Sequence, residues 1–341
     1  MPPGQDLAVK PLRIGVLGAA RIAEASIVAP ARLTGTRLVA VAARDRTRAE
    51  AFAVTHDVER VLDSYADVLA DPEVEAVYNP LANGLHGPWN LAAVAAGKHV
   101  LTEKPSASDA DEAREVRDAA ARAGVIVMEA FHYLYHPVTR RLLEVLASGE
   151  IGELQRVEVD MMIPAPADTD PRWSFPLAGG ALMDVGCYGL HLHRALAPWA
   201  GGEPYLTGAD GAERAGHPGV DEWVDAELEF PGGATGTMRC SMAADDIRMT
   251  ARLVGSRGEV SAFNFVLPHR DDRVLVTVDG VERLEELGRR PSYAYQLEAF
   301  TAAVRDGAPL PTGADDAVTT AELIDACYEA AGFDLRPRTR L

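Results

Sequence analysis

The chain has 341 residues, 48% hydrophobic and 25% charged, with 33 basic against 51 acidic side chains and a net charge of −18. That length passes the roughly 250–300 residues at which a single core stops growing, so two domains are expected. The acidic balance repels phosphate backbones and anionic lipids, arguing against nucleic-acid or membrane partners, and no apolar run reaches the about 18 residues that span a bilayer. The opening MPPGQDLAVKPLRIG has no apolar export stretch, and Cys187, Cys240 and Cys327 lie far apart without metal-type spacing. A reduced, cytoplasmic protein without a metal is expected.

Residues 1–130 alternate strand-like and helix-like segments. Strands are predicted at 12–18, 37–43, 74–80, 98–104 and 125–131, each a short apolar run suited to burial on both faces. Between them lie Ala-rich segments of helical period. The clearest, SDADEAREVRDAAARAG (108–124), has a Ser/Asp cap at its start and Gly124 at its end. The alternation predicts an α/β, doubly wound parallel sheet, a Rossmann dinucleotide-binding domain.

Within that domain, GVLGAARIA (15–23) approaches the fingerprint G-x-G-x-x-G/A. Gly18 makes the tight turn, Ala20 stands where a second glycine would admit the pyrophosphate, Arg21 and Ile22 follow, and Ala23 is small enough for helix–strand packing. Amides at the helix start still bind phosphate, because the turn sets their direction. The second strand ends at Ala43 and Arg44, with Arg48 close behind, where NAD sites usually place an acid on the ribose 2′-hydroxyl. A small residue followed by arginine suits a 2′-phosphate, so NADP(H) is the predicted cofactor, with Asp45 keeping NAD(H) open.

Residues 131–312 are assigned to an α+β substrate and dimerisation domain, and 313–341 to a closing helix and tail. Strand-like runs at 154–163, 223–231, 234–242, 247–255, 258–263 and 273–280 follow one another with little helix between them. Several alternate apolar with polar residues, as Val224, Ala226, Leu228 and Phe230 do, which predicts a large, mostly antiparallel open sheet. Helices are predicted at 180–196, 293–306 and 314–331. So few helices leave one apolar face of the sheet uncovered, which predicts a homodimer or dimer of dimers through it.

The chemistry concentrates in three residues. Lys104 ends the strand 98–104 at the carboxyl edge, where open α/β sheets bind ligands. Asp184 and Tyr188 are i and i+4, so on a helix they share a face. Hydride transfer at a carbon bearing oxygen requires a proton to move on that oxygen. A tyrosine beside a lysine ammonium suits this, because the positive charge favours phenolate and lowers the pKa. The oxidative rate is then expected to rise with pH as the tyrosine ionises. His191 and His193 are two apart and splay around a helix, so they are not expected to share a metal.

Four segments carry a family resemblance: EKP at 103–105, MEAFHYLYHP at 128–137, GGALMDVGCYGLH at 179–191 and YQLEAF at 295–300. Together they resemble the Gfo/Idh/MocA oxidoreductases over nearly the whole chain. The likeness is greatest to the branch with dimeric dihydrodiol dehydrogenase, glucose–fructose oxidoreductase and NADP-linked sugar reductases. The resemblance implies hydride transfer to or from a secondary alcohol or ketone of a sugar, polyol or cyclic diol. It implies Lys104 bonding the reacting oxygen, Tyr188 as acid/base and Asp184 orienting, or a variant that keeps and recycles its NADP. Pro80, Asn83, His86 and Glu103 are implied on the cofactor side. His132, Arg172, Trp173 and Tyr295 are candidate substrate-wall residues, and Leu134 stands where relatives often carry arginine. A non-catalytic nucleotide sensor would need the fingerprint but not Lys104, Asp184 and Tyr188 together.

Overall fold

The structure, a computed structural model, describes residues 10–341, so most of the opening stretch lies outside the described residues. All five predicted strands of the first domain are present: β1 (Arg13–Leu17), β2 (Arg37–Ala42), β3 (Ala76–Asn79), β4 (His99–Thr102) and β5 (Val127–Glu129). They form one parallel sheet in the order β2-β1-β3-β4-β5, with α1 (Ala29–Thr34), α2 (Arg46–His56), α3 (Tyr65–Ala70), α4 (His86–Ala95) and α5 (Ala110–Ala123) alternating along the chain. The α5 boundaries follow from its caps. The Asp109 carboxylate accepts from the Glu112 amide at 2.8 Å, and Gly124 takes a left-handed φ of 66°.

Register places the strand ends level, with Leu17 opposite Ala42, Asn79 opposite Thr102 and Thr102 opposite Glu129. Strand order reverses between β1 and β3, so the loops after those strands diverge and leave a crevice at the carboxyl edge. The helix after β1 opens with a π-turn, Glu24–Val28, before α1. Pro30 accounts for it. Proline has no N–H and its ring crowds the carbonyl four residues back, so the Ala29 amide reaches five back to Glu24 O instead.

The second sheet has eight strands: β6 (Leu154–Met162), β7 (Tyr205–Glu213), β8 (Asp221–Glu229), β9 (Thr235–Ser241), β10 (Arg248–Gly255), β11 (Gly258–Ala262), β12 (Arg273–Val278) and β13 (Val281–Glu286). Their order is β13-β12-β11-β10-β6-β9-β8-β7, antiparallel except where β6 runs beside β9. The sequence reading missed β7 and β13, which are the two edges. YLTGADGAE carries two glycines and VERLEE four charges, and edge strands blunted in this way have no apolar alternation to read.

Val157, Val159, Met161, Val224, Leu228, Met238 and Leu253 fill the inner face, each fully buried side chain worth about 1.5–3 kcal/mol. Covering that face are α6 (Pro137–Ala147), which was not anticipated, α7 (Cys187–Ala195) and α9 (Ala314–Ala330). α8 (Ser292–Asp306), expected with the second domain, instead sends Leu297 and Phe300 into the core of the first, beside Leu12, Ile14 and Met128. The outer face is uncovered but not apolar. Arg156 pairs with Glu158 at 2.7 Å, Arg252 with Glu158 at 2.9 Å and also with Glu259, and Arg239 lies 4.0 Å from Asp225. The outer face expected to be apolar is therefore largely charged across β6, β8, β9 and β10, with Leu275 and Leu284 paired on it at the β13 edge. Among the described residues no helix is long and apolar enough to cross a membrane.

Candidate active site

A cavity of about 740 Å³ opens at the crevice between the β1 and β3 loops and runs under a loop of the second domain. Gly18 shapes its rim. Its φ of 105° is strained for any side chain, and a Cβ there would lie 3.1 Å from Leu81. Its amide donates to Ala42 O at 2.7 Å, tying the ends of β1 and β2 together. Ala20, Arg21 and Ile22 line the cavity, and their amides donate to no backbone carbonyl among the described residues. Free amides beside a positive-φ glycine form a cradle that fits the phosphates of a dinucleotide.

At the far end of β2 the arginines divide. Arg48 lines the cavity and donates to Ala19 O at 2.9 Å, whereas Arg44 is exposed and Ala43 half-buried, neither lining the cavity. Asp45 caps α2, its carboxylate accepting from the Thr47 amide at 2.9 Å, so that acid is committed to the helix.

Pro80, Leu81, Ala82 and Asn83 after β3 form one wall, and the Asn83 amide donates to Ala178 O across the cleft at 3.2 Å. The His86 ring also lines the cavity, 2.6 Å from Pro105 O and 2.8 Å from Leu81 O, joining the β3 and β4 loops. After β4 come Glu103 and Lys104, both lining the cavity. Burial raises the Glu103 pKa although the Tyr78 hydroxyl donates to it at 2.7 Å.

Asp184 sits on a π-turn, Leu182–Gly186, that runs into α7, so the predicted helix is π before it is α. Asp184 and Tyr188 nonetheless both face the cavity. Gly186 and Gly189 explain how. Added Cβ atoms would lie 2.7 Å from Cys240 Sγ and 2.5 Å from Met238 Cγ, so only glycine lets this helix lie close on the sheet with its polar face outward. The Lys104 ammonium donates to Asp184 O at 2.5 Å, lies 3.8 Å from the Asp184 carboxylate and stands 4.8 Å above the Tyr188 ring centre. Burial opposes that charge, but Cys187, Asp184 and Glu103 outweigh it and its pKa is raised.

The tyrosine departs from expectation. Its pKa is raised well above 10, not lowered, because burial dominates and Lys104 lies over the ring face rather than at the oxygen. Burial thus holds Tyr188 as a phenol, and the lowering expected from Lys104 is not found. Its hydroxyl meets the Nε2 of His132 at 3.2 Å.

Of the substrate-wall candidates only Arg172 lines the cavity. It donates to Asp184 at 3.3 Å and binds Asp170 through two nitrogens at 3.0 and 3.1 Å, and Asp170 also accepts from Arg21 at 3.2 Å. His132 lies behind Tyr188. Trp173 is buried, donating to Pro166 O at 3.3 Å, and Tyr295 packs edge-on against His136 at 5.5 Å; neither reaches the cavity. Tyr293, which the sequence reading missed, lines it instead. Two positions apart on a helix point to nearly opposite sides, so a motif alone could not choose between them. Leu134 packs against the cores of both domains, outside the cavity lining. His191 contacts Asp316 at 3.0 Å, and His193 contacts Gly189 O at 2.7 Å.

Comparison with known proteins agrees with this architecture. Residues 12–131 match the family model described as an oxidoreductase family with an NAD-binding Rossmann fold, and residues 139–261 match the GFO/IDH/MocA C-terminal domain. The chain is 35% identical to a D-xylose 1-dehydrogenase (NADP(+)) of Haloferax volcanii, over 94% of this chain and 97% of that protein. It is 34% identical to a trans-1,2-dihydrobenzene-1,2-diol dehydrogenase of Mus musculus, over 72% and 73%. A 3-ketoreductase of Actinomadura kijaniata, solved with NADP and TDP-benzene, superposes with a TM-score of 0.86 at 29% identity, covering 94% of this chain and 98% of that one. Matches to both domains, on a chain whose Lys104, Asp184 and Tyr188 meet at the mouth of a dinucleotide fold, make it a member of the Gfo/Idh/MocA oxidoreductases.

Proposed function

We propose that the protein is an NADP(H)-dependent oxidoreductase acting on a secondary alcohol or ketone carbon of a sugar, polyol or cyclic diol. The convergence of Lys104, Asp184 and Tyr188 on one cavity with the phosphate cradle carries the reading. When bound, the nicotinamide supplies the acceptor or donor of hydride. Lys104 holds the reacting oxygen, Tyr188 exchanges the proton on it, and Asp184 fixes the ammonium. Both acids at the substrate end are matched by cations, Asp184 by Lys104 and Arg172 and Asp170 by Arg172, which favours an uncharged substrate. The experiment is reduction of NADP⁺ across a panel of aldoses, polyols and cyclic diols, D-xylose included. Nucleotide binding without turnover of any member would instead make the protein a sensor. A variant that keeps its nucleotide bound would be recognised by release of the nucleotide only on denaturation.

Cofactor preference rests on the region after β2. With Asp45 turned into a helix cap and arginines at 44 and 48, this region favours a 2′-phosphate over a ribose hydroxyl. Arg44→Ala is expected to weaken NADP(H) binding while leaving NAD(H) nearly unchanged in a titration, and equal losses for both would overturn the assignment.

The protein is proposed to be a homodimer or dimer of dimers through the outer face of the second sheet, since that face is broad and uncovered. Its alternating charges make such an interface polar and salt-sensitive. Light scattering at micromolar concentration is expected to show at least a dimer that weakens with salt, and a monomer at low salt would contradict it. Free, buried Cys187, Cys240 and Cys327 fit a reducing compartment such as the cytoplasm.

A further inference from the structure

His132 is fully buried on the far side of Tyr188 from the cavity. Its Nε2 lies 3.2 Å from the Tyr188 hydroxyl and its Nδ1 2.8 Å from Ser292 Oγ, at the first residue of α8. The Tyr293 ring packs on the imidazole at 3.8 Å centre to centre, tilted by 33°. We propose that Tyr188 and His132 act as a proton relay, in which Tyr188 takes the substrate's hydroxyl proton while passing its own to Nε2 of His132. The proposal rests on the function above and adds to it a positioning residue behind the acid/base. It removes a difficulty that function leaves, because a buried tyrosine held as phenol has no lone proton vacancy to offer, whereas in a relay it never ionises.

The atoms balance. In the oxidative direction the C–H electron pair leaves as hydride to NADP⁺, and the substrate O–H bond breaks as a new O–H forms on Tyr188. The old Tyr188 O–H breaks as N–H forms at Nε2, leaving His132 transiently as imidazolium. Once the carbonyl product has left, the same two transfers return the proton through Tyr188 to water in the cavity and restore the neutral ring. Reduction runs the same transfers backwards. The arrangement requires the neutral ring to carry its hydrogen on Nδ1, donating to Ser292 Oγ, so that Nε2 presents a lone pair.

The groups facing His132 are Tyr188 from α7, Ser292 and Tyr293 from α8, Lys104 after β4, His136 on its own segment and His269 from the loop after β11. Burial first, then Lys104, His269 and His136, lowers its pKa well below 6.5, so the ring is the neutral acceptor at physiological pH. The sign follows. Oxidation needs unprotonated His132, so the rate is flat through neutrality and falls only as the pH drops through the depressed histidine pKa. A tyrosine acting alone would give a rise above pH ~10.

Long-range ¹H–¹⁵N NMR of the histidine-labelled, NADP⁺-loaded protein is expected to show His132 as the Nδ1–H tautomer, with its Nε2 resonance shifting in Tyr188→Phe. An Nε2–H tautomer overturns the relay. With the best substrate of the panel, wild-type kcat is expected to give a bowed proton inventory, two protons moving together. His132→Gln should give a straight one, with kcat down at least about tenfold and the acid limb gone. NADPH binding by that variant reports its fold; should it fail, Ser292→Ala is expected to lose the Nδ1–H preference and alter the same profile. His132→Gln with unchanged rate, inventory and pH profile, while Tyr188→Phe collapses, overturns the relay alone. An active Tyr188→Phe overturns the acid/base reading beneath it.

Discussion

Replacing Tyr188 with phenylalanine is expected to lower kcat by about 10²–10⁴-fold, or about 3–5 kcal/mol of transition-state free energy, with nucleotide binding retained. The substitution removes one oxygen and keeps the ring, so the edge-on contacts with Phe131 at 5.5 Å and Tyr133 at 5.9 Å survive. What is lost in the ground state is the hydrogen bond to His132. Leaving that buried nitrogen unpaired costs about 1–3 kcal/mol, so a fall of a few degrees in Tm accompanies the kinetic effect. The measurement is kcat with substrate deuterated at the reacting carbon. A primary isotope effect shows that hydride transfer limits the rate, and near-normal kcat under that condition would remove Tyr188 from the chemistry.

Lys104→Ala is expected to be at least as damaging to kcat/KM and more damaging to stability. The ammonium donates to Asp184 O and is the cation beside Glu103, while the Asp184 carboxylate lies 3.8 Å from Lys104 and 3.3 Å from Arg172. Removing one partner of a buried charge cluster costs up to about 3–5 kcal/mol, here chiefly because Glu103 loses its cation while Asp184 keeps Arg172. Lys104→Met keeps the stem without the charge and separates packing from electrostatics. If it matches the alanine variant in rate, the charge is what the reaction uses. Since lysine and tyrosine act on one oxygen, the double variant with Tyr188→Phe is expected to be far less than multiplicatively worse than either single change. Independent, multiplicative losses would place the two residues on separate steps.

How much of the molecule its sequence disclosed depends on how local the signal is. Buried parallel strands write themselves as unbroken apolar runs, and helix ends as Asp109 and Gly124, so the Rossmann half was legible almost element by element. The EKP and D-x-G-x-Y segments likewise located Lys104, Asp184 and Tyr188, since a cation at a strand's carboxyl end and two polar groups on one helix face are spacing statements. Other features are set by what lies across the fold. The edge strands β7 and β13 lack a pattern because only one neighbour pairs with them. The π-turn at Leu182–Gly186 is not written in the residues it contains, and the choice of Tyr293 over Tyr295 depends on which side of α8 meets His132.

The sequence by itself thus determined the fold class and singled out Lys104, Asp184 and Tyr188, which the structure brings together on one cavity. Tertiary structure alone decided their electrostatics. A lysine near a tyrosine suggested a lowered pKa, but burial outweighs an ammonium set over the ring face, and the sign reverses. The scarcity of helices suggested an uncovered apolar face, but Arg156, Glu158, Arg239 and Arg252 point outward and most of that surface is charged. In both cases the deciding quantity is the dielectric around a group, which depends on residues distant in sequence and close in space.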